Sequence, residues 1–188
     1  SLNKLSGTGI YKFTNIDFEK PVEKNNSLNA HVKLTPMVPK SLRFELQAVT
    51  KSNDYTGPGL DLSFENKNAF KAGESFRLDL VTSFESQLAK EKGGGNSFEA
   101  GLDASLSIPR FIFPFIDMNK YLSRKYTPAT IIQGGYNFHL RTEYFRLHSL
   151  NMQFKYAWRE TATKYHEFRP VNIKFSKLSG QTSRFREI

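Results

Sequence analysis

The sequence predicts an all-β chain: an antiparallel meander of about seven strands, preceded by two strands of different character. Three observations predict it. Short stretches alternate strictly between apolar and polar residues, the period-two signature of a strand with one apolar and one polar face. Turns rich in Gly, Asn and Lys separate them. No stretch approaches the ~20 apolar residues of a membrane-spanning helix; the longest run, residues 111–116, is short and contains Pro114.

Taken in order, residues 10–18 (IYKFTNIDF) and 28–34 (LNAHVKL) read as two strands. Pro21 and Asn25-Asn26 suit a loop between them, and Pro36 and Pro39 punctuate a short linker. Two strands cannot bury a core alone, so residues 1–40 are expected to be the last part of a small α/β module. The meander follows, with strands expected at about 41–50, 59–66, 75–86, 96–107, 130–144, 149–159 and 170–178. In the first, Leu42, Phe44, Leu46 and Ala48 alternate with Ser41, Arg43, Glu45 and Gln47. In the fourth, Phe98, Ala100, Leu102, Ala104 and Leu106 alternate with Glu99, Gly101, Asp103, Ser105 and Ser107. In the sixth, Leu150, Met152, Phe154, Tyr156 and Trp158 share a face. Tyr136, Phe138, Leu140 and Tyr144 are expected on one face of the fifth.

The connections differ in kind. Residues 50–57 hold Asn53, Asp54 and Gly57 and read as a polar turn. Residues 66–74 hold Asn66, Asn68 and Gly73; residues 87–96 are charged and end near Gly93-Gly94-Gly95. Residues 109–129 are a long break containing IPRFIFPF, in which 118–125 suit one or two helical turns. Residues 179–188 show no periodicity and are expected to fray.

Composition narrows the chemistry. The absence of Cys excludes disulfides, thiolate nucleophiles and Cys-type metal sites in these 188 residues. The four His (His31, His139, His148, His166) lack metal-ligand spacing, so no metal site is expected. No G-x-S-x-G motif is present. Gly7-Thr8-Gly9 and Gly57-Pro58-Gly59 read as turn signals, not phosphate loops. Asp61, Glu65, Asp79, Glu85, Glu99 and Asp103 gather on polar faces, but Arg43 and Arg77 share those faces, so cross-strand ion pairing explains them. No catalytic residue and no cofactor are therefore expected. The net charge of +9 is concentrated after residue 108, where fourteen Lys/Arg face five Asp/Glu. These are interspersed rather than clustered, which favours a solvated rim over nucleic-acid binding.

Seventeen Phe, eight Tyr and one Trp suit both strands and membrane interfaces. The alternation leaves two architectures open: one face covers a soluble core, or one face meets lipid and the other a wet lumen. A bacterial membrane barrel needs at least about eight strands, usually an even number, so seven would not close. The chain begins at Ser1, without a signal peptide, and is expected to be a piece of a longer protein.

Four blocks carry a family likeness. GIYKFTNIDF followed by SLNAHVKLTPMVPKSLRFELQA, then GPGLDLSFENKNAFKAGESFRLDL, then SFEAGLDASLSIPRFIFPF, and more loosely residues 136–178, resemble in order and spacing the outer-membrane assembly proteins of the BamA/TamA type. These are also called bacterial surface antigens. The chain looks closest to TamA-like members of Bacteroidetes. In Asn66-x-Asn68-x-Phe70-Lys71-x-Gly73-Glu74, Ala72-Gly73 stands where Gly-Ala is commoner in the family. The family's inward loop with its Arg-Gly motif belongs later in the barrel and has no counterpart here.

The resemblance implies that residues 1–40 end a periplasmic POTRA module and that residues 41–188 are the N-terminal portion of an outer-membrane β-barrel. It implies assembly and insertion of β-barrel clients, or envelope translocation, without covalent chemistry. The partners implied are unfolded outer-membrane proteins, outer-membrane lipid and accessory periplasmic subunits. The client-pairing strand would comprise Leu42, Arg43, Phe44, Glu45, Leu46, Gln47, Ala48 and Val49, and the lipid-facing residues would include Leu102, Phe138, Phe154 and Trp158. The rivals are a passive β-barrel secretion pore, a soluble β-sandwich binding carbohydrate or acting as an adhesin, and, least favoured, a basic nucleic-acid-binding sheet.

Overall fold

The computed structural model describes residues 10–19, 28–51, 55–87, 95–113, 126–142 and 144–181. They form nine strands in two sheets. β1 (Tyr11–Glu19) and β2 (Asn29–Pro36) pair antiparallel as a two-stranded sheet. β3 (Lys40–Thr50), β4 (Tyr55–Asn66), β5 (Ser75–Gln87), β6 (Ser97–Ile108), β7 (Ala129–Arg141), β8 (Phe145–Arg159) and β9 (Tyr165–Ser179) form the second. Each pairs antiparallel with the next in chain order, so β3 and β9 are the edges.

The hairpin follows its sequence pattern. Ile16 lies opposite Val32 and Phe18 opposite Ala30, giving one apolar face. Asp17 and His31 oppose each other on the other face, where Lys33 Nζ meets Asp17 Oδ2 at 2.7 Å. That hydrogen bond and the ammonium charge hold the Asp17 carboxyl below its ordinary value. Phe18 and Val32 remain exposed, so this sheet carries an uncovered apolar face.

Each expected strand of the meander is present, with four boundary corrections. β4 begins at Tyr55 and runs through Gly57-Pro58-Gly59, which the sequence suggested was a turn. Pro58 lacks the N–H that the Phe84 carbonyl would receive, and the β4–β5 ladder is interrupted between Thr56↔Ser86 and Gly59↔Ser83. The strands crowd there: a Cβ on Gly57 would lie 1.8 Å from Phe84 O. β7 ends at Arg141, and Tyr144 sits in the following turn rather than on its face. β8 consequently starts earlier than expected, at Phe145. β9 also starts early, at Tyr165, and passes Pro170 by a bulge: the register shifts between Phe154 and Tyr156 of β8. The expectations for residues 118–125, the loop tip at 93–94 and the end of the chain at 182–188 lie outside the described residues.

Among the described residues only Tyr55, Ile108, Tyr156 and Ala157 are buried apolar side chains. The larger sheet is a single layer. No described helix is long and apolar enough to cross a membrane.

Candidate functional site: an open edge and two opposed faces

Register sorts the side chains of the sheet by chemistry. The row Phe44, Leu62, Leu80, Leu102, Tyr136, Leu150, Phe175 runs across all seven strands on one face. The row Arg43, Ser63, Asp79, Asp103, Gly135, Asn151, Lys174 runs across the other. Leu102, Phe138, Phe154 and Trp158 all belong to the apolar face. That face is bare: Leu46 is 74% exposed at one edge, Leu102 46% at the centre and Phe175 60% at the other. Seven strands ~4.8 Å apart, with apolar stripes of roughly 20 to 34 Å, present an apolar patch on the order of 700 Å². That exceeds the ~300–600 Å² of the largest patch on a typical soluble monomer.

The polar face is tightly bonded. Asp103 and Asn151 fold flat over Gly135, where a Cβ would come within 2.0 Å of Asp103 Oδ1. Gln47 Nε2 donates to Asp61 Oδ2 at 3.0 Å, and Arg77 Nε donates to both oxygens of Asp79. Near the β3–β4 turn, Lys51 Nζ reaches Glu85 Oε1 at 2.8 Å and Glu99 Oε1 at 3.0 Å. On β4 this level carries Gly57, so the lysine passes over a strand without a side chain in its way. The hydrogen bond to Glu85, opposed by burial and aided by Glu99, raises the Lys51 ammonium above its ordinary value. His139 Nε2 lies 3.5 Å from Glu99 and shares a hydrogen bond with Ser97 Oγ at 3.2 Å. Arg141 stacks on the Tyr55 and Tyr144 rings. Glu85 is 1% exposed, and its Oε2 accepts no hydrogen bond among the described residues. The individual residues were visible in the sequence as polar-face positions. Their union was not, because it depends on register: Glu99 lies directly opposite His139, and Glu85 opposite Ser97.

The first strand of the meander, containing Leu42 to Val49, is an edge. Its phase follows from its two ends. Lys51 N donates to Tyr55 O at 2.8 Å and Lys67 N donates to Pro39 O at 2.7 Å. Odd-numbered residues of β3 therefore exchange hydrogen bonds with β4, and even-numbered ones turn N–H and C=O outward. Leu42, Phe44, Leu46 and Ala48 thus present free main-chain groups to the edge and apolar side chains to the bare face. Arg43, Glu45, Gln47 and Val49 hold β4 instead. No described strand pairs with the other side of β3.

A second feature escaped sequence reasoning. After β6 the chain turns back over the lower end of the apolar face. Thr130, fully buried, donates from Oγ1 to Arg110 O at 2.7 Å and accepts from Ile112 N at 3.0 Å. Tyr156 OH donates to Ile112 O at 2.7 Å. Phe111 packs edge-on against Tyr156 and Trp158, and Trp158 stacks on His166. A lone Thr and Tyr on an apolar face were the available signal. Set against models of protein families, curated proteins and solved structures, the chain finds no match.

Proposed function

We propose that residues 41–188 form the first part of an outer-membrane β-barrel of the assembly type and that β3 is the strand on which client proteins are templated. The observation that carries this reading is the bare apolar face on a sheet whose opposite face is a bonded polar network. A soluble sheet of this size would cover that face; hydrocarbon makes covering it unnecessary. Dimensions support it. The apolar stripe of β6, from Phe98 to Ile108, is ~34 Å along the strand and ~26 Å high at a tilt of ~40°, against a barrel's lipid band of ~25 Å.

The open edge supports the templating role. Main-chain groups of Leu42, Phe44, Leu46 and Ala48 would pair with an incoming strand whatever its side chains, as a factor serving many clients requires. On this reading the first sheet, with Phe18 and Val32 exposed, completes its core within a POTRA-like periplasmic module. Outer-membrane lipid, unfolded barrel proteins and periplasmic accessory subunits are the proposed partners, with neither cofactor nor covalent step. Environment-sensitive labels at Leu102, Asp103, Phe154 and Lys155, in the full-length protein in lipid vesicles, test it. Leu102 and Phe154 should report hydrocarbon, and Asp103 and Lys155 water. Leu102 and Phe154 buried without lipid contact would leave a soluble β domain.

A further inference from the structure

The lower end of the sheet carries a continuous rim. Lys67 N bonds Pro39 O beside the start of β3, Glu74 reaches Arg110 at 4.0 Å, Phe111 packs on Trp158, and Trp158 stacks on His166. Above this rim lies the apolar face. Two properties of the rim stand out. Its aromatic and aliphatic groups point outward: Phe70 at the β4–β5 turn is 67% exposed, and Ile112 and Phe113 remain partly exposed although their backbone is clamped. Its charges are mostly positive: Lys40, Lys67, Lys71, Arg110, Arg159 and Lys164 sit at its turns. The described acids there are Glu74, buried and facing Arg110, Glu160, bonded to His166, and Glu167, paired with Lys155 and Arg169.

We infer that this rim is a lipid-headgroup anchor selective for anionic phospholipid, with residues 110–113 lying in the membrane interface as an in-plane wedge. The inference rests on the membrane-spanning reading above. The backbone of a wedge in that zone must have its polar groups satisfied. Thr130 and Tyr156 do this for Arg110 and Ile112 from the side of the sheet, which leaves the Ile112 and Phe113 side chains free for acyl chains. Amphipathic aromatics at strand ends favour the headgroup level, and the ammonium groups of Lys40, Lys67 and Lys71, which have no salt bridge among the described residues, add attraction for anionic headgroups. At the opposite rim the Lys51 ammonium is consumed by Glu85 and Glu99, and the Arg141 guanidinium lies over the Tyr55 and Tyr144 rings.

The test uses the full-length protein in vesicles, with a dye on Ile112→Cys. Dibrominated phosphatidylglycerol and phosphatidylcholine serve as quenchers, brominated either near the glycerol or deep in the chain. A dye on Leu102→Cys is the control for spanning. The expected result is shallow quenching at position 112, several times stronger by phosphatidylglycerol. That preference should fall with Lys40→Gln, Lys71→Gln and Lys164→Gln combined, by up to about fivefold for each charge removed. Equal quenching by the two lipids, or a preference unmoved by the three substitutions, overturns the selectivity. A dye at 112 that no lipid quenches, while Leu102 is quenched deeply, overturns the anchor and spares the barrel. If neither position is quenched, the spanning reading fails as well.

Discussion

A proline placed in β3 has opposite consequences at neighbouring positions. At Leu46 the N–H lost points to the open edge; at Glu45 it is a ladder hydrogen bond to β4. The ring imposes the same φ near −65° at both sites, away from the ~−140° of an antiparallel strand, so that strain cancels in the comparison. Leu42, Phe44, Leu46 and Ala48 would exchange two hydrogen bonds each with a client strand, and each is worth about 1 kcal/mol net. Removing the Leu46 donor leaves a client carbonyl unpaired, at about 1.5 kcal/mol or a tenfold loss in strand pairing. The β3–β4 ladder is untouched, as prolines at sheet edges allow. Glu45→Pro instead removes a donor from the folded sheet itself and should cost about 2 kcal/mol of stability. The assay is the rate at which the full-length protein in vesicles inserts a small barrel client, read beside the urea midpoint of the protein itself. Leu46→Pro should slow insertion about tenfold and lower the midpoint only by the ring strain common to both sites, whereas Glu45→Pro should lower the midpoint further. If Leu46→Pro assembles clients at the parent rate, β3 is not the templating strand. If the two variants behave alike, the assigned phase is wrong.

Three further outcomes are expected. Lys51→Met should destabilise by about 2–3 kcal/mol, at or below the lower end of the range for breaking a buried pair because the lysine is partly exposed. Adding Glu85→Gln should restore most of that loss, and a double-mutant cycle by urea unfolding that shows simple additivity would refute the coupling. Gly57→Ala should cost more than an alanine in an ordinary strand position, because its methyl would meet the backbone of Phe84 and Glu85 rather than a movable side chain. A thermal midpoint equal to the parent's would disprove that crowding. The third concerns pH: Asp17 is held below its ordinary value of 3.8 by Lys33. A depressed carboxylate contributes stability that is present above the unfolded value and is lost as pH falls through the folded one. Amide exchange in the β1–β2 sheet should therefore quicken below about pH 4, and Asp17→Asn should abolish that acid dependence; an NMR midpoint for Asp17 at or above 3.8 contradicts it.

Much of this architecture was legible because alternation reports directly on a two-faced sheet. The apolar positions of β3 and β6 were correct residue by residue. Two of the four boundary failures came at prolines. Pro58 read as part of a turn and Pro170 as the first residue of its strand, yet each lies inside a strand: Pro58 where the ladder to β5 lapses, Pro170 at a bulge on an edge. Local composition records that a donor is missing, not whether the neighbouring strand can do without it. The Lys51–Glu85–Glu99–His139 cluster and the Thr130 clamp were illegible for another reason. Each joins residues from strands separated by long connections, and period-two patterning gives a residue's face but not its height on that face.

The bulge opposite Lys155 changes which positions of β9 lie outward. Below it His166 and Phe168 share the apolar face; above it Val171, Ile173 and Phe175 do. β9 thus changes frame partway along, and the ladder spends one residue doing so. Deleting a single residue from the middle of β6 would invert every side chain beyond the cut, sending Asp103 to the apolar face or Leu102 to the polar one. Deleting Arg169 or Pro170 would close the frame shift and leave every other residue of β9 facing as before. In a sheet that tolerates no slippage elsewhere, this is the one joint in β9 at which chain length can change without changing what each surface displays.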